Sequence, residues 1–128
     1  MKEMLEQNQL LLRTSYPKIY TKTEFLCLDG WFKILDHLGL ASNHYLRQKS
    51  EEIFLLNAKE KFGILFIDYN GSDSIIRSFI GFAERLSRTT CEICGNSAKL
   101  HSSERRSSFG KLATLCEKHA LEKLYWKV

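Results

Sequence analysis

The sequence predicts an α+β protein in which helices pack on a small antiparallel β-hairpin sheet, followed by a C-terminal zinc ribbon and a short closing helix. Three observations carry that prediction. Two short apolar runs, Ile53 to Ala58 and Ile64 to Tyr69, flank the turn-forming stretch KEKFG and are rich in β-branched and aromatic residues, as hairpin strands are. Ile75, Ile76, Phe79, Ile80, Ala83 and Leu86 recur at helical spacing. A CxxC pair at Cys91 and Cys94 is answered by a CxxH pair at Cys116 and His119.

Taken in order, EMLEQNQLLLRTSYP places Met4, Leu5, Leu11 and Leu12 at helix-compatible spacing, and Pro17 closes the segment because the residue before a proline avoids helical geometry. KIYTKTEFLCL then reads as extended. DGWFKILDHLGL reads as a helix with Asp29 as its N-cap and Trp31, Ile34, Leu35 and Leu38 on one face. Gly39 ends or kinks it, with SNHYLRQKS either continuing the helix or forming a polar connection. Gly63 supplies a turn or bulge conformation in the hairpin. The turn signal at Asn70 to Ser72 leads into the helix of the 75–86 stripe. GNSAKLHSSERRSSFG reads as an exposed loop or as two short strands with a long tip. EKHALEKLYWKV reads as a terminal helix with Ala120, Leu121, Leu124 and Tyr125 on one side. This divides the chain into a helix–hairpin–helix core over 1–90 and a zinc-ribbon module with its terminal helix over 91–128.

With 128 residues, 44% of them hydrophobic and 12% aromatic, the chain has the material for a buried core rather than a disordered tail. The formal charge of +4 is unevenly placed. Residues 1–83 carry ten Lys or Arg against ten Asp or Glu, and residues 84–128 carry nine against five. Glu3 and Glu6 stand where a signal peptide needs an apolar run, and no stretch is long and apolar enough for a membrane span. The expectation is a cytoplasmic protein in a reducing compartment, where paired CxxC and CxxH spacings favour metal over disulfides.

Zinc takes four thiolate or imidazole ligands at tetrahedral geometry, and two residues separated by two others reach one ion when the backbone between them forms a tight knuckle. Cys91, Cys94, Cys116 and His119 make such a Cys₃His set, with Gly95 able to take the positive φ that closes the first knuckle. Four protein ligands leave no position for water or substrate, so one structural Zn²⁺ is expected and no catalytic metal. Three thiolates and a neutral imidazole around the ion leave the site at minus one. Cys27, between Leu26 and Leu28, reads as a core residue, and His101 as a loop residue.

The second feature is a basic cluster of Arg85, Arg88, Lys99, Arg105, Arg106 and Lys111 with Phe109 at the loop tip. Its cations could neutralise phosphates and its aromatic could stack on an unpaired base, or the whole could be a solvated basic loop. Asp29, Asp36, His37, His44 and Lys59 to Lys61 match no triad, phosphate loop or paired-carboxylate spacing. No catalytic residue is therefore assigned.

Four stretches, CLDGWFKIL (Cys27 to Leu35), KEKFGILF (Lys59 to Phe66), AERLSRTTCEICG (Ala83 to Gly95) and LCEKHA (Leu115 to Ala120), together resemble an uncharacterised family of small bacterial and bacteriophage proteins. The resemblance implies a helix–hairpin–helix core carrying the ribbon, and a prophage or mobile-element setting. ILFID stands where that family tends to have a basic residue in the strand, and SSERRSSFG replaces a shorter glycine-aromatic turn.

Three functions stay open at this point. One is a non-catalytic module acting stoichiometrically on a host macromolecule, such as a defence complex of the CRISPR-effector kind. Another is a nucleic-acid-binding regulator using the basic ribbon, and the third is a small enzyme. A macromolecular partner, protein or nucleic acid, is expected, with no membrane and no small-molecule substrate.

Overall fold

The computed structural model describes residues 3–49, 53–105 and 110–128. Among these, five helices and two three-stranded sheets form the α+β arrangement the sequence predicts. No helix among them is long and apolar enough to cross a membrane.

Helix α1 (Glu6–Ser15) buries Leu12, but Leu5 and Leu11 are exposed. Leu5 precedes the first helical turn with an extended backbone, and Leu11 lies one residue off the buried line. Pro17 opens α2 (Pro17–Tyr20) instead of leading into an extended segment. At the first helical position its missing N–H costs no hydrogen bond and its fixed φ is already helical. Only Glu24–Leu26 of the expected extended stretch becomes a strand, β1.

Asp29 does not cap the helix that follows it. A 3₁₀ turn at Asp29–Trp31 precedes α3 (Phe32–Leu46), and Asp29 Oδ1 accepts hydrogen bonds from the Leu5 N–H (3.0 Å) and Asn8 Nδ2 (2.8 Å). It thereby fixes the start of α1 against the turn. Gly39 neither ends nor kinks α3. A Cβ there would sit 2.4 Å from the Tyr16 ring, so its lack of a side chain seats that ring against the helix. Tyr16 in turn donates to Asp36 Oδ1 at 2.8 Å, and burial together with that bond pushes the phenol up to about 12.

Strands β2 (Phe54–Lys61) and β3 (Ile64–Asn70) form the hairpin, with the KEK residues inside β2 and only Phe62 and Gly63 in the turn. Both turn residues have positive φ, 56° and 81°, the two-residue geometry whose twist matches that of the flanking strands. Beyond the expected hairpin, β1 pairs with β2 in parallel, Glu24 opposite Asn57 and Leu26 opposite Lys59. The sheet is therefore mixed. A parallel pair needs a long crossover, and α3 provides it.

Helix α4 (Ser74–Ser87) starts at Asp73, whose Oδ1 accepts the Ile75 and Ile76 N–H groups while its Oδ2 takes the Tyr45 hydroxyl. Ile76, Ile80 and Ala83 are buried, Phe79 is half-buried, and Ile75 and Leu86 are largely exposed. The helix also closes the free edge of β3. Leu65 N–H donates to Ser87 Oγ (2.9 Å) and Ile67 N–H to Glu84 Oε2 (3.0 Å), so ladder groups that would otherwise face a partner strand are satisfied by side chains. Ser87→Ala removes the acceptor for a buried N–H and should destabilise by about 1–3 kcal/mol. Faster hydrogen exchange at Leu65 than at Ile67 would accompany the loss; equal protection at both would contradict the edge-closing role.

The main core gathers Leu12, Tyr20, Phe25, Trp31, Leu35, Leu55, Leu65 and Ile76 around the inner face of the sheet, and Cys27 lies fully buried within it, as the sequence suggests. A second, smaller cluster of Cys91, Ala98, Ala113, Leu115, Cys116 and Ala120 belongs to the C-terminal unit. There β4 (Lys99–Ser102) and β5 (Leu112–Leu115) are the two short strands of the longer alternative, and α5 (Glu117–Lys123) follows. His101 is buried on β4, with Nδ1–H donating to the Lys99 carbonyl at 2.7 Å, so it is no loop residue. The terminal helix is shorter than its apolar pattern suggests. Leu124 adopts a left-handed conformation (φ 58°), the chain reverses, and β6 (Trp126–Lys127) pairs with β4. Of the four expected helix-face residues, Ala120 is buried, Tyr125 is half-buried, and Leu121 and Leu124 are exposed.

Candidate metal centre

The two knuckles meet. One donor atom each from Cys91, Cys94, Cys116 and His119 lies within 4.8 Å of the other three, as ligands of a single ion must. The first knuckle is closed by Gly95, with φ of 84° and its N–H donating to the Cys91 carbonyl at 2.9 Å. The second is the start of α5. Cys116 occupies the N-cap and His119 the first helical turn, one face of the helix carrying both donors.

His119 turns Nδ1 inward, 3.1 Å from Cys116 Sγ and 3.7 Å from Cys91 Sγ, and leaves Nε2 3.7 Å from Glu122 Oε2. A carboxylate behind the outer ring nitrogen is the kind of group that orients a metal-ligating histidine, and at 3.7 Å Glu122 stands just beyond hydrogen-bond distance. Sequence reasoning missed Glu122, although its place one helical turn beyond His119 is the signal that could have found it.

The electrostatics also fit a cation. Burial pushes the Cys91 thiol up, but N–H groups of Cys116, Cys94 and Ile93 aimed at its sulfur outweigh this and bring it down to about 7. Burial and the adjoining sulfurs of Cys116 and Cys91 push Cys94 up, against the opposing N–H of Asn96. With Cys94 Sγ only 3.7 Å from Cys116 Sγ, three thiolates cannot coexist there without positive charge between them. The tetrad could hold one metal ion, and its three sulfurs and one imidazole nitrogen are the donor set of zinc.

The knuckles are gripped by the rest of the chain. Gly30 N–H donates to the Glu92 carbonyl (2.8 Å), Trp31 Nε1 to the Thr90 carbonyl (2.9 Å), and the Thr114 hydroxyl to the Gly63 carbonyl. The DGWF turn thus seats the first knuckle, and the KEKFG turn holds β5 just ahead of the second. Beside it lies a cleft of about 920 Å³ between hairpin and ribbon, its walls including Phe62, Glu92, Ile93, Lys111 and Tyr125.

The basic residues singled out in the sequence stand on several elements. Arg85 and Arg88 are exposed near the end of α4, Arg105 is exposed after β4, and Lys111 lies exposed at the cleft. Lys99 is exposed on β4, where the neighbouring ammonium of Lys127 lowers its pKa. Arg106 and Phe109 lie outside the described residues. Of Asp29, Asp36, His37 and Glu60, the cleft takes in Glu60, whose Oε2 accepts the Gly63 N–H at 2.7 Å. No family model matches this chain, and neither a curated protein nor a solved structure matches it.

Proposed function

We propose that this chain is a non-catalytic binding protein, its ribbon held by one structural zinc, that acts stoichiometrically on a macromolecule. The observation that carries this reading is the convergence of four protein donors on one point. A tetrahedral ion so held has no position left for water or substrate, so its contribution is to folding and presentation rather than to chemistry. The contacts from Gly30, Trp31 and Gly63 support the same reading, because they turn a metal-closed ribbon into a fixed platform on the core. A host factor, such as the defence complex suggested by the resemblance to bacteriophage proteins, is one partner of this kind.

The test is a pull-down with the zinc-loaded chain from bacterial lysate, with the partner identified by mass spectrometry and its stoichiometry measured on the purified complex. The expected result is one metal per chain and a complex of fixed ratio. Turnover of a small molecule by the purified chain, or an ion exchanging rapidly with solvent ligands, would overturn the proposal.

A further inference from the structure

The KEKFG turn holds an aromatic residue where the backbone disfavours one. Phe62 has φ of 56° yet is 68% exposed. A two-residue turn of this geometry selects Asn, Asp or Gly at its first position, and a bulky residue there is strained. Packing does not account for it, since most of the ring faces solvent. The turn is nevertheless held firmly, by Glu60 Oε2 on the Gly63 N–H and by the Thr114 hydroxyl on the Gly63 carbonyl. A strained residue kept in a fixed, exposed position points to use of its side chain.

Cations stand on both sides of that ring. Phe62 lines the cleft together with Lys59, Lys111 and Lys123, and on its other side lines a second concavity with Lys61, Phe66 and Arg88. Phe66, on the outer face of β3, is 41% exposed, with the Lys59 and Lys61 ammonium groups 5.7 and 5.3 Å from its ring centroid. The carboxylates of Glu60, Glu84, Glu92 and Glu104 line the same two concavities. Glu60 and Glu84 accept backbone N–H groups and Glu92 is buried, leaving Glu104 exposed.

We infer that the hairpin tip, centred on Phe62 and Phe66 and flanked by Lys59, Lys61 and Arg88, is a binding surface for single-stranded nucleic acid. Exposed rings take unpaired bases by stacking, and lysines and arginines on both flanks take the phosphates that run past them. An acidic protein segment would use the cations but has no need of two exposed rings. This assignment rests on the binding-protein reading and names its partner. It also moves the contact from the ribbon loop to the hairpin, where the ribbon serves to pin the turn.

The experiment measures fluorescence anisotropy of labelled 12-nucleotide oligothymidylate and oligouridylate with the zinc-loaded full chain over a range of salt. Phe62→Asn is the informative variant, because asparagine suits the left-handed turn position and the thermal midpoint should hold or rise. Its affinity should nonetheless fall about 5- to 100-fold, the loss expected for one stacked base. Lys61→Ala and Arg88→Ala should each flatten the logarithmic salt dependence by about 0.7, the slope per phosphate on a single strand.

No binding in 50 mM salt, unchanged affinity in Phe62→Asn, or loss in Arg105→Ala with none in Phe62→Asn would overturn the assignment. So would displacement by polyglutamate as effective as that by unlabelled oligonucleotide. Any of these results, alongside an identified protein partner from lysate, would end the hairpin assignment and leave the binding-protein reading standing.

Discussion

Replacing Cys94 with serine, or stripping the metal with a chelator, should unfold the C-terminal ribbon while the main core persists. The reason is the disparity between what the ribbon buries and what the metal contributes. Its core is three alanines, Leu115 and two of the cysteine ligands themselves, with Ile93 and Tyr125 partly covered. Burying such side chains is worth on the order of 5 kcal/mol. The apparent contribution of a structural zinc in small domains is about 10–16 kcal/mol, so the ion dominates. Ordering each residue costs about 1–2 kcal/mol of backbone entropy, which that apolar burial alone cannot offset over β4, β5 and α5. Hydrogen exchange is the measurement. Amides of β5 and the knuckles should lose protection in the metal-free protein, and those of β3 and α4 should keep theirs. Acid should act like the chelator, since protons compete with the metal for the thiolates. Retained protection at Leu115 without metal would show that the ribbon folds on its packing alone.

The tetrad was legible because ligand spacing is local: two residues between donors fix a knuckle whatever surrounds it. The hairpin and α4 were legible for a similar reason, their apolar periodicity being strong over short windows. What escaped the sequence was set by partners distant along the chain. Asp29 has the composition of an N-cap, but Leu5 and Asn8 claim its carboxylate first. Gly39 looks like a helix breaker until the Tyr16 ring is placed against it. β1 offers three residues, too few for a periodic signal, and becomes a strand by pairing with β2. β6 depends on the left-handed turn at Leu124, a residue type whose propensity argues against that conformation.

Gly30→Ala should be among the most damaging single substitutions in the chain, although it adds one methyl group. A Cβ at Gly30 would lie 2.1 Å from the Cys91 carbonyl oxygen and 2.4 Å from the Glu92 carbonyl carbon. Both obstacles are backbone, so no rotamer change relieves the contact; either the 3₁₀ turn at Asp29–Trp31 or the metal knuckle has to move. Overpacking a core typically costs about 1–3 kcal/mol when side chains can adjust. Here the cost should reach or exceed the top of that range, because separating the two segments also breaks the Gly30-to-Glu92 and Trp31-to-Thr90 hydrogen bonds, each worth about 1 kcal/mol. Gly81→Ala is the internal control. That glycine lies in α4 with nothing within 4 Å of the position its methyl group would take, so alanine should stabilise by about 0.4–1 kcal/mol. Thermal and denaturant melts of the two variants should therefore shift in opposite directions. Bound metal separates the two ways in which Gly30→Ala can fail: metal retained in a destabilised protein means that the ribbon has lifted off an intact core, and metal lost means that the knuckle itself has yielded. A Gly30→Ala protein as stable as the parent would refute the seat formed by the DGWF turn and the first knuckle.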